Sequence, residues 1–377
     1  MIDMTSRLSS EPKPAPTPSI IGASTTAFVS SRQCYTSTLN DWGNRPIRFI
    51  GDNQGWLYSY IDPPQTVWEQ SPVEVLSEIN LHPHGEVRPS MHQVLNFIDC
   101  RKAVVNLPVR KSLHVRIRLL FYPIPLKNLS ATCFGPTTRI SVQSLHEPSR
   151  TTIITLPSVH DVRCSTILPS SAHVLGAAKR AIHINSPEIR HGIRELHTGS
   201  DVFSLCNIEE DIIYAGCRNG QISRFDLRIT GSKPDALRLP VSKSTPIYLS
   251  LLPIPKWEIL VGRMDGELCT YDLRFVSTTS ETTPTRTFRG HVGGVDHRLG
   301  SGISVPPDSE YIFAAGDDGR LRCWSLRAAG MDPQTTVECG RLRCLHTTQE
   351  DVEGSTGNQL WGVDTSETRR GIVNWLL

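Results

Sequence analysis

An aspartate and an arginine two residues apart follow an aromatic residue at two places in the chain. The pairs are Asp226 with Arg228 and Asp272 with Arg274, and a third segment ends at Arg327 with serine in the acidic position. An arginine guanidinium forms planar, bidentate hydrogen bonds with carboxylates. The arginines therefore predict contacts with an acidic or carbonyl-rich partner surface, or ion pairs with the preceding aspartate or a neighbouring part of the fold.

Other residues that could support catalysis or metal binding lack the partners that such chemistry needs. His82 and His84 could form a metal pair, but the proline between them and the absence of nearby ligands favour a loop. His291 begins a His-Val-Gly-Gly run like an oxyanion turn, yet no nucleophile elbow accompanies it. The sequence also lacks a Walker loop and a dinucleotide fingerprint. We therefore expect no catalytic residue, no metal and no cofactor, and predict that the chain is not an enzyme.

The three charged segments lie in copies of one sixteen-residue pattern. The copies span 213–228, 259–274 and 312–327 and align without a gap. Each has an apolar stretch, an Asn-Gly or Asp-Gly turn and an alternating strand that ends in Leu-Arg. Such dipeptides between apolar runs favour a type I′ turn, in which both residues have positive φ. The pattern predicts three β-hairpins, each with one of the three arginines, here called the box arginines, just after its second strand.

Weaker copies precede these hairpins. Turn positions at 55, 139, 180, 220, 266 and 319 are 84, 41, 40, 46 and 53 residues apart. The first gap is about twice the others, which predicts a degenerate copy over 94–107 with a turn near Arg101. Repeats of this length with one strong hairpin each are typical of β-propeller blades. We therefore predict an all-β propeller of seven blades over residues 20–377, with clear repeats over 200–327 and degenerate ones over 45–190. Apolar segments after residue 327 leave an eighth blade open.

Two segments differ in composition from the repeats. Residues 1–19 carry proline at alternate positions, which predicts a disordered, extended tail. Residues 61–92 are rich in proline and histidine and predict a long excursion from the first blade, where a substrate could bind. The best helical period of the chain, over 73–80, falls within this excursion.

The repeats resemble those of WD40-repeat proteins. A Gly-His pair at His291 precedes Asp318 and Trp324, with the spacing of that family. In WD40 blades the corresponding residues form a buried hydrogen-bonded network that stiffens the blade. The resemblance implies a structural network of His291, Asp318 and Trp324. Phe225 and Tyr271 replace the tryptophan in the other two copies, so those networks are expected to be incomplete.

The aromatic-Asp-x-Arg boxes resemble, more narrowly, those of WD40 proteins that act as substrate receptors of cullin-4 ubiquitin ligases. The sequence is most similar to the fourth-type cullin-4-associated factors. In that family the box and its arginine help to dock the propeller on the ligase adaptor, the large damaged-DNA-binding protein. The resemblance implies that Arg228, Arg274 and Arg327, with Asp226 and Asp272, contact this adaptor, while an unidentified protein substrate is held for ubiquitination.

Two other functions stay open on the sequence. The first is a general WD40 scaffold in another complex, in which the arginines are purely structural. The second is a reader of histone tails or nucleic acid that uses the top of the ring. The one basic strand, around residues 110–118, has no interleaved aromatic residues. Nucleic-acid binding is therefore disfavoured.

Composition excludes several classes of protein. The chain has 39 Lys+Arg against 37 Asp+Glu, a net charge of +2, which gives no general attraction to polyanions. No stretch approaches the roughly 18 apolar residues of a membrane span, and the N-terminus lacks a signal-peptide core. The 10 cysteines include no CxxC pair, which favours free thiols in a reducing compartment. We expect a protein of the nucleus or cytoplasm with no membrane partner.

Overall fold

In the residues that it describes, the computed structural model contains 28 β-strands, which form seven antiparallel sheets of four strands. It describes residues 13–14, 25–30, 47–52, 56–61, 74–80, 104–106, 128–132, 138–144, 151–168, 170, 172–185, 192–208, 211–229, 235–237, 244–253, 255–276, 282–293, 302–306, 310–328, 331–340, 342–352, 355–364 and 371–376. No helix in these ranges is long and apolar enough to cross a membrane.

The sheets are called blades I to VII. The first strand in the chain, β1 (Lys13–Pro14), belongs to the last blade. Blade I contains β2 (Thr25–Ser30), β3 (Ile47–Asp52), β4 (Trp56–Ile61) and β5 (Glu74–Asn80); blade II contains β6 (Val104–Asn106), β7 (Asn128–Thr132), β8 (Thr138–Ser144) and β9 (Thr151–Leu156); blade III contains β10 (Cys164–Ile167), β11 (His173–Ala177), β12 (Arg180–Ile184) and β13 (Ile193–His197). Blade IV contains β14 (Val202–Ile208), β15 (Ile212–Cys217), β16 (Ile222–Asp226) and β17 (Asp235–Leu237); blade V contains β18 (Pro246–Leu251), β19 (Glu258–Arg263), β20 (Leu268–Asp272) and β21 (Arg286–Phe288). Blade VI contains β22 (Ile303–Ser304), β23 (Tyr311–Ala315), β24 (Arg320–Ser325) and β25 (Thr335–Glu338), and blade VII contains β26 (Leu342–Val352), β27 (Ser355–Asp364), β28 (Gly371–Leu376) and β1.

The blades close into a ring. The first strands of neighbouring blades contact one another around it, including β26 with β2, while blades V and VI share an apolar core. Each core cluster joins two adjacent blades, because a four-stranded sheet buries its faces only against its neighbours. Phe225, Tyr271 and Trp324 are each at most 2% exposed in these clusters. The predicted all-β propeller of seven blades is confirmed.

Blade VII is completed by the N-terminal strand. The segments after residue 327 that left an eighth blade open are β27 and β28 of this blade, and β1 pairs with β28 through Lys13 opposite Asn374. The rest of the tail predicted over residues 1–19 lies outside the described residues. The β26–β27 pairing continues to Val352 opposite Ser355, beyond the last β27–β28 pair at Gln359, so this hairpin extends past the rest of its sheet.

Several boundaries in the degenerate half differ from the expectation. The copy predicted over 94–107 is not a separate blade, since Val104–Asn106 is the first strand of blade II. Arg139 lies within β8 rather than at a turn, and the turn of blade III precedes Arg180, with φ of 60° at Lys179. The excursion predicted over 61–92 contains β5, so its best helical period is a strand.

The Asn-Gly and Asp-Gly turns form hairpins, but not of type I′. Only the glycines have positive φ, 87° at Gly220, 94° at Gly266 and 72° at Gly319. In blade IV the Gly220 N–H donates to the carbonyl of Cys217 at 2.9 Å, and the Cys217 N–H donates to that of Gln221 at 2.8 Å. This is a three-residue loop that ends in a left-handed glycine. The preceding Asn or Asp accepts a hydrogen bond from the backbone two residues later, which favours the same dipeptides for a different reason.

Candidate partner-binding face

The three box arginines lie on one face of the ring. Because the strands of a blade are antiparallel, the first-to-second and third-to-fourth connections lie on one side, here called the lower face, and the other connections lie on the upper face. Arg228, Arg274 and Arg327 follow the third strands of blades IV, V and VI. Their side chains are 64%, 54% and 73% exposed. Three consecutive blades therefore present an arginine to solvent on the lower face.

In blades IV and V the arginine pairs with the aspartate of its own box. Arg228 Nε lies 2.9 Å from Asp226 Oδ1 and its Nη2 lies 2.6 Å from Oδ2; the distances from Arg274 to Asp272 are 3.0 and 2.6 Å. Each Oδ1 also accepts the backbone N–H of the arginine at 3.0 Å. The aspartate thus closes the end of the strand and fixes the guanidinium.

These pairs are ionised at physiological pH. The side-chain hydrogen bond from Arg228 lowers the pKa of Asp226 to about 2. The corresponding bond from Arg274 lowers the pKa of Asp272, and Asp272 in turn raises the pKa of Arg274. The carboxylates are only 13% and 15% exposed, whereas the guanidiniums face outward. The surface offered to a partner is therefore cationic, although each pair is neutral as a whole.

Blade VI has a different pairing. Ser325, in the acidic position, accepts hydrogen bonds from the backbone of Arg327 at 3.1 Å and of Ala328 at 3.3 Å. The Arg327 side chain instead forms an ion pair with Glu310, which precedes β23 in the same blade. The hydroxyl therefore replaces the carboxylate as the acceptor at the strand end but not as the counter-ion.

The structure places His291 and Asp318 on the upper side of blade VI and Trp324 within its third strand, β24. The carboxylate of Asp318 pairs with Arg322, with 3.0 Å between Oδ1 and Nη1, and this bond lowers the pKa of Asp318. Trp324 is fully buried and its Nε1 donates to the carbonyl of Arg289 at 3.0 Å. The His291 ring meets the tryptophan edge-on, 6.3 Å between centroids. The sequence did not indicate Arg322, which alternates along β24 with buried apolar residues.

Sequence reasoning missed a group of exposed apolar side chains on the lower face. Ile229 is 61% exposed, Trp257 45% and Phe275 73%, and Ile193 in blade III is also exposed. Among the described residues the remaining large exposed apolar side chain, Val292, lies on the upper face. Large aromatic and aliphatic groups beside arginines are typical of protein interfaces rather than of solvated surface.

Two of these residues enclose a box arginine. The guanidinium carbon of Arg274 lies 4.3 Å from the centroid of the Trp257 ring and 5.4 Å from that of Phe275. Both distances are within the range of cation–π attraction. Arg274 is thus held by two aromatic rings and by the bidentate bond to Asp272.

Arginines of neighbouring blades donate hydrogen bonds to the backbone that follows the third strands of blades IV and VI. Arg194 of blade III donates through Nη1 to the carbonyl of Leu227 at 2.8 Å and through Nη2 to that of Ile229. Arg286 of blade V donates in the same way to the carbonyl of Leu326 in blade VI. The lower face is therefore built on backbone that is fixed between blades.

Other candidates from the sequence have no structural description. His82, His84 and the basic strand around 110–118 lie outside the described residues. Within the described ranges, no group of three or more His, Cys, Asp and Glu side chains could hold a metal ion.

Comparison with known proteins agrees with this architecture. Residues 282–325, from the fourth strand of blade V to the third of blade VI, match the family described as WD domain, G-beta repeat. WD repeat-containing protein 21 of Schizosaccharomyces pombe is 23% identical over 196 residues, which are 52% of this chain and 44% of the yeast protein. The match thus spans less than half of that relative. The β-propeller domain of Cps50 (Swd1) from Myceliophteria thermophila matches over 96% of this chain and 98% of its own, with a TM-score of 0.59 and 13% identity. In the part that the structure describes, this chain is a β-propeller of seven blades, and its residues 282–325 match the WD domain, G-beta repeat.

Proposed function

We propose that the chain is a non-enzymatic substrate receptor of a cullin-4 ubiquitin ligase and docks on the ligase adaptor, the large damaged-DNA-binding protein, through its lower face. It would hold an unidentified protein substrate in the nucleus or cytoplasm, while other subunits transfer ubiquitin. The observation that carries the proposal is the outward position of Arg228, Arg274 and Arg327 in three consecutive blades, each more than half exposed. Their boxes resemble those of cullin-4 receptors.

The internal pairing of the arginines is compatible with docking. Arg228 and Arg274 each use Nε and Nη2 toward the aspartate of their own box. A guanidinium has five N–H donors, so one carboxylate does not saturate it. Pre-orientation by the aspartate also reduces the side-chain entropy that is lost on binding.

The same pairing supports the competing function, a general WD40 scaffold in another complex. In that case the ion pairs only close strand ends, and exposed pairs of this kind contribute little to stability, about 0–1 kcal/mol each. The two functions differ in one measurable property, the dependence of adaptor binding on the guanidiniums.

The test is a binding titration of purified adaptor with the wild type and with Arg228→Ala, Arg274→Ala and Arg327→Ala. The matched control is Arg218→Ala, since Arg218 is an exposed, ion-paired arginine on the upper face. Truncating one side of a buried charged contact costs about 2–5 kcal/mol, so at least one box variant should bind roughly tenfold more weakly or worse. Circular dichroism verifies that each variant is folded.

The control variant, Arg218→Ala, should bind the adaptor as tightly as the wild type does. If the wild type does not bind the adaptor, or if all three folded box variants bind with unchanged affinity, the proposal is wrong. In the second case adaptor binding would exist but would not use the boxes, as expected for a scaffold with structural arginines.

A further inference from the structure

We propose that blade V is the centre of the docking face, where Trp257, Phe275 and Arg274 receive an apolar side chain of the adaptor that is flanked by carboxylates. Ile229 of blade IV would extend this centre. The inference rests on the proposed function, because the adaptor is the occupant, and it adds which blade and which kind of adaptor surface make the contact.

The first argument compares equivalent positions in the three blades. The N–H of the leucine within each box donates to the carbonyl of Asp211 in blade IV, Trp257 in blade V and Glu310 in blade VI, at 2.7, 2.8 and 2.6 Å. These three residues therefore occupy the same place on the lower face. Only in blade V is the residue aromatic, and the acidic residues of the other blades are the usual choice for a solvated loop.

The residue after the box arginine is also most strongly apolar in blade V. It holds Ile229 in blade IV, Phe275 in blade V and Ala328 in blade VI. Phe275 is 73% exposed although its backbone N–H is fixed by the carbonyl of Asp272 at 3.1 Å. An exposed phenylalanine on a fixed turn is unfavourable in water unless a partner covers it. Apolar character thus peaks in blade V and is lowest beside Arg327.

The second argument is pre-organisation. Tryptophan and arginine dominate the residues whose truncation weakens protein interfaces most. Arg274 lies between the two rings, 4.3 and 5.4 Å from their centroids, and is bonded to Asp272. The stacked rings and the bidentate bond orient the guanidinium before binding, so less side-chain entropy is lost and more of the contact energy appears as affinity.

Charge defines the chemistry of the occupant. Among the described residues on the lower face of blades IV and V, the exposed cations are Arg228, Arg274 and Lys256, whereas the carboxylates of Asp226 and Asp272 are only 13% and 15% exposed. A complementary surface therefore presents carboxylates around an apolar anchor. The adaptor would supply both features in one segment.

The test measures the dissociation constant of the adaptor for the wild type, Trp257→Ala, Phe275→Ala and Arg274→Lys. The control is Val292→Ala, which truncates an exposed apolar side chain on the upper face. We expect the two aromatic variants to bind roughly tenfold or more weakly. Arg274→Lys should bind several-fold more weakly because lysine keeps the charge but loses the planar stack and the fork. Arg327→Ala should have a smaller effect than either aromatic variant.

The outcomes separate this inference from the proposed function. If the wild type binds and the box arginines matter, but both aromatic variants bind as tightly as the wild type, the inference is overturned and the receptor function stands. If the wild type fails to bind the adaptor, the function and the inference fall together. Sedimentation of the wild type adds a further result: a dimer that Phe275→Ala dissociates, with adaptor binding unchanged, would assign the patch to a second copy and overturn the inference.

Discussion

Burial of His173 should make the protein less stable as the pH falls below neutrality. This residue begins β11 and is only 5% exposed, and desolvation lowers its pKa from 6.5 to about 4. The imidazole is therefore neutral in the folded protein at pH values where an unfolded histidine is protonated. Because the unfolded chain binds this proton more tightly, lowering the pH between the two pKa values favours unfolding.

The size of the effect follows from the two pKa values. With 6.5 in the unfolded chain and about 4 in the folded protein, linkage predicts a loss of about 2 kcal/mol in the free energy of unfolding between pH 7 and pH 5. The contribution is fully present above pH 6.5 and is lost below about pH 4. Carboxylates such as Asp226, with a lowered pKa of about 2, contribute stability that is present above their unfolded pKa of about 3.9 and is lost at lower pH. The pH range in which they destabilise the protein therefore lies below the range in which His173 does.

The assay is urea unfolding followed by tryptophan fluorescence at pH 7, 6 and 5, for the wild type and His173→Gln. Glutamine is polar but does not titrate, so the wild type should lose about 2 kcal/mol more than the variant over this range. His197→Gln, at the exposed end of β13 in the same blade, should follow the wild type. An identical pH dependence in the wild type and His173→Gln would refute the reasoning, because the burial of this imidazole would then cost nothing.

Four further substitutions test the packing of the blades, each by the free energy of unfolding. Gly266→Ala places a Cβ 2.4 Å from the backbone nitrogen of Gly293 at φ of +94° and should cost about 2–4 kcal/mol. Gly199→Ala, with φ of +71° and no atom within 4 Å, should cost only about 1 kcal/mol, and equal losses would contradict the steric argument. Trp324→Phe removes the Nε1 hydrogen bond and leaves a void, at a cost of about 2–3 kcal/mol; a loss below about 1 kcal/mol would mean that the bond is replaced. Arg263→Met removes Nη1 donation to two carbonyls that join blades IV and V and should cost about 3 kcal/mol, whereas unchanged stability would show that burial of the charge offsets these bonds.

The sequence alone located the strongest hairpins because their signals are local. An Asn-Gly or Asp-Gly dipeptide between apolar runs identifies a turn from a few adjacent residues, and three gapless copies of one pattern identify a repeat. Even there the turn type was wrong, since a type I′ turn and a three-residue loop with a final glycine favour similar residues.

The limits of the blades depended on contacts that are distant in the sequence. The fourth strands of blades IV and V have only three residues, and the first strand of blade VI has two. Strands this short have no measurable periodicity. Closure of blade VII by pairing of Lys13 with Asn374 joins the two ends of the chain, which no local pattern reveals.

Composition and spacing determined that this chain forms a repeated all-β ring with an arginine at the same place in three blades. Only the tertiary structure decided what surrounds each arginine, because Trp257 and Glu310 are at equivalent positions, yet one stacks on its arginine and the other pairs with it. The exposure of a side chain depends on the assembled ring. An apolar residue next to a strand is therefore predicted to be buried from the sequence, although it can be exposed in the fold. The aromatic centre of the lower face is therefore visible only once neighbouring blades are in place.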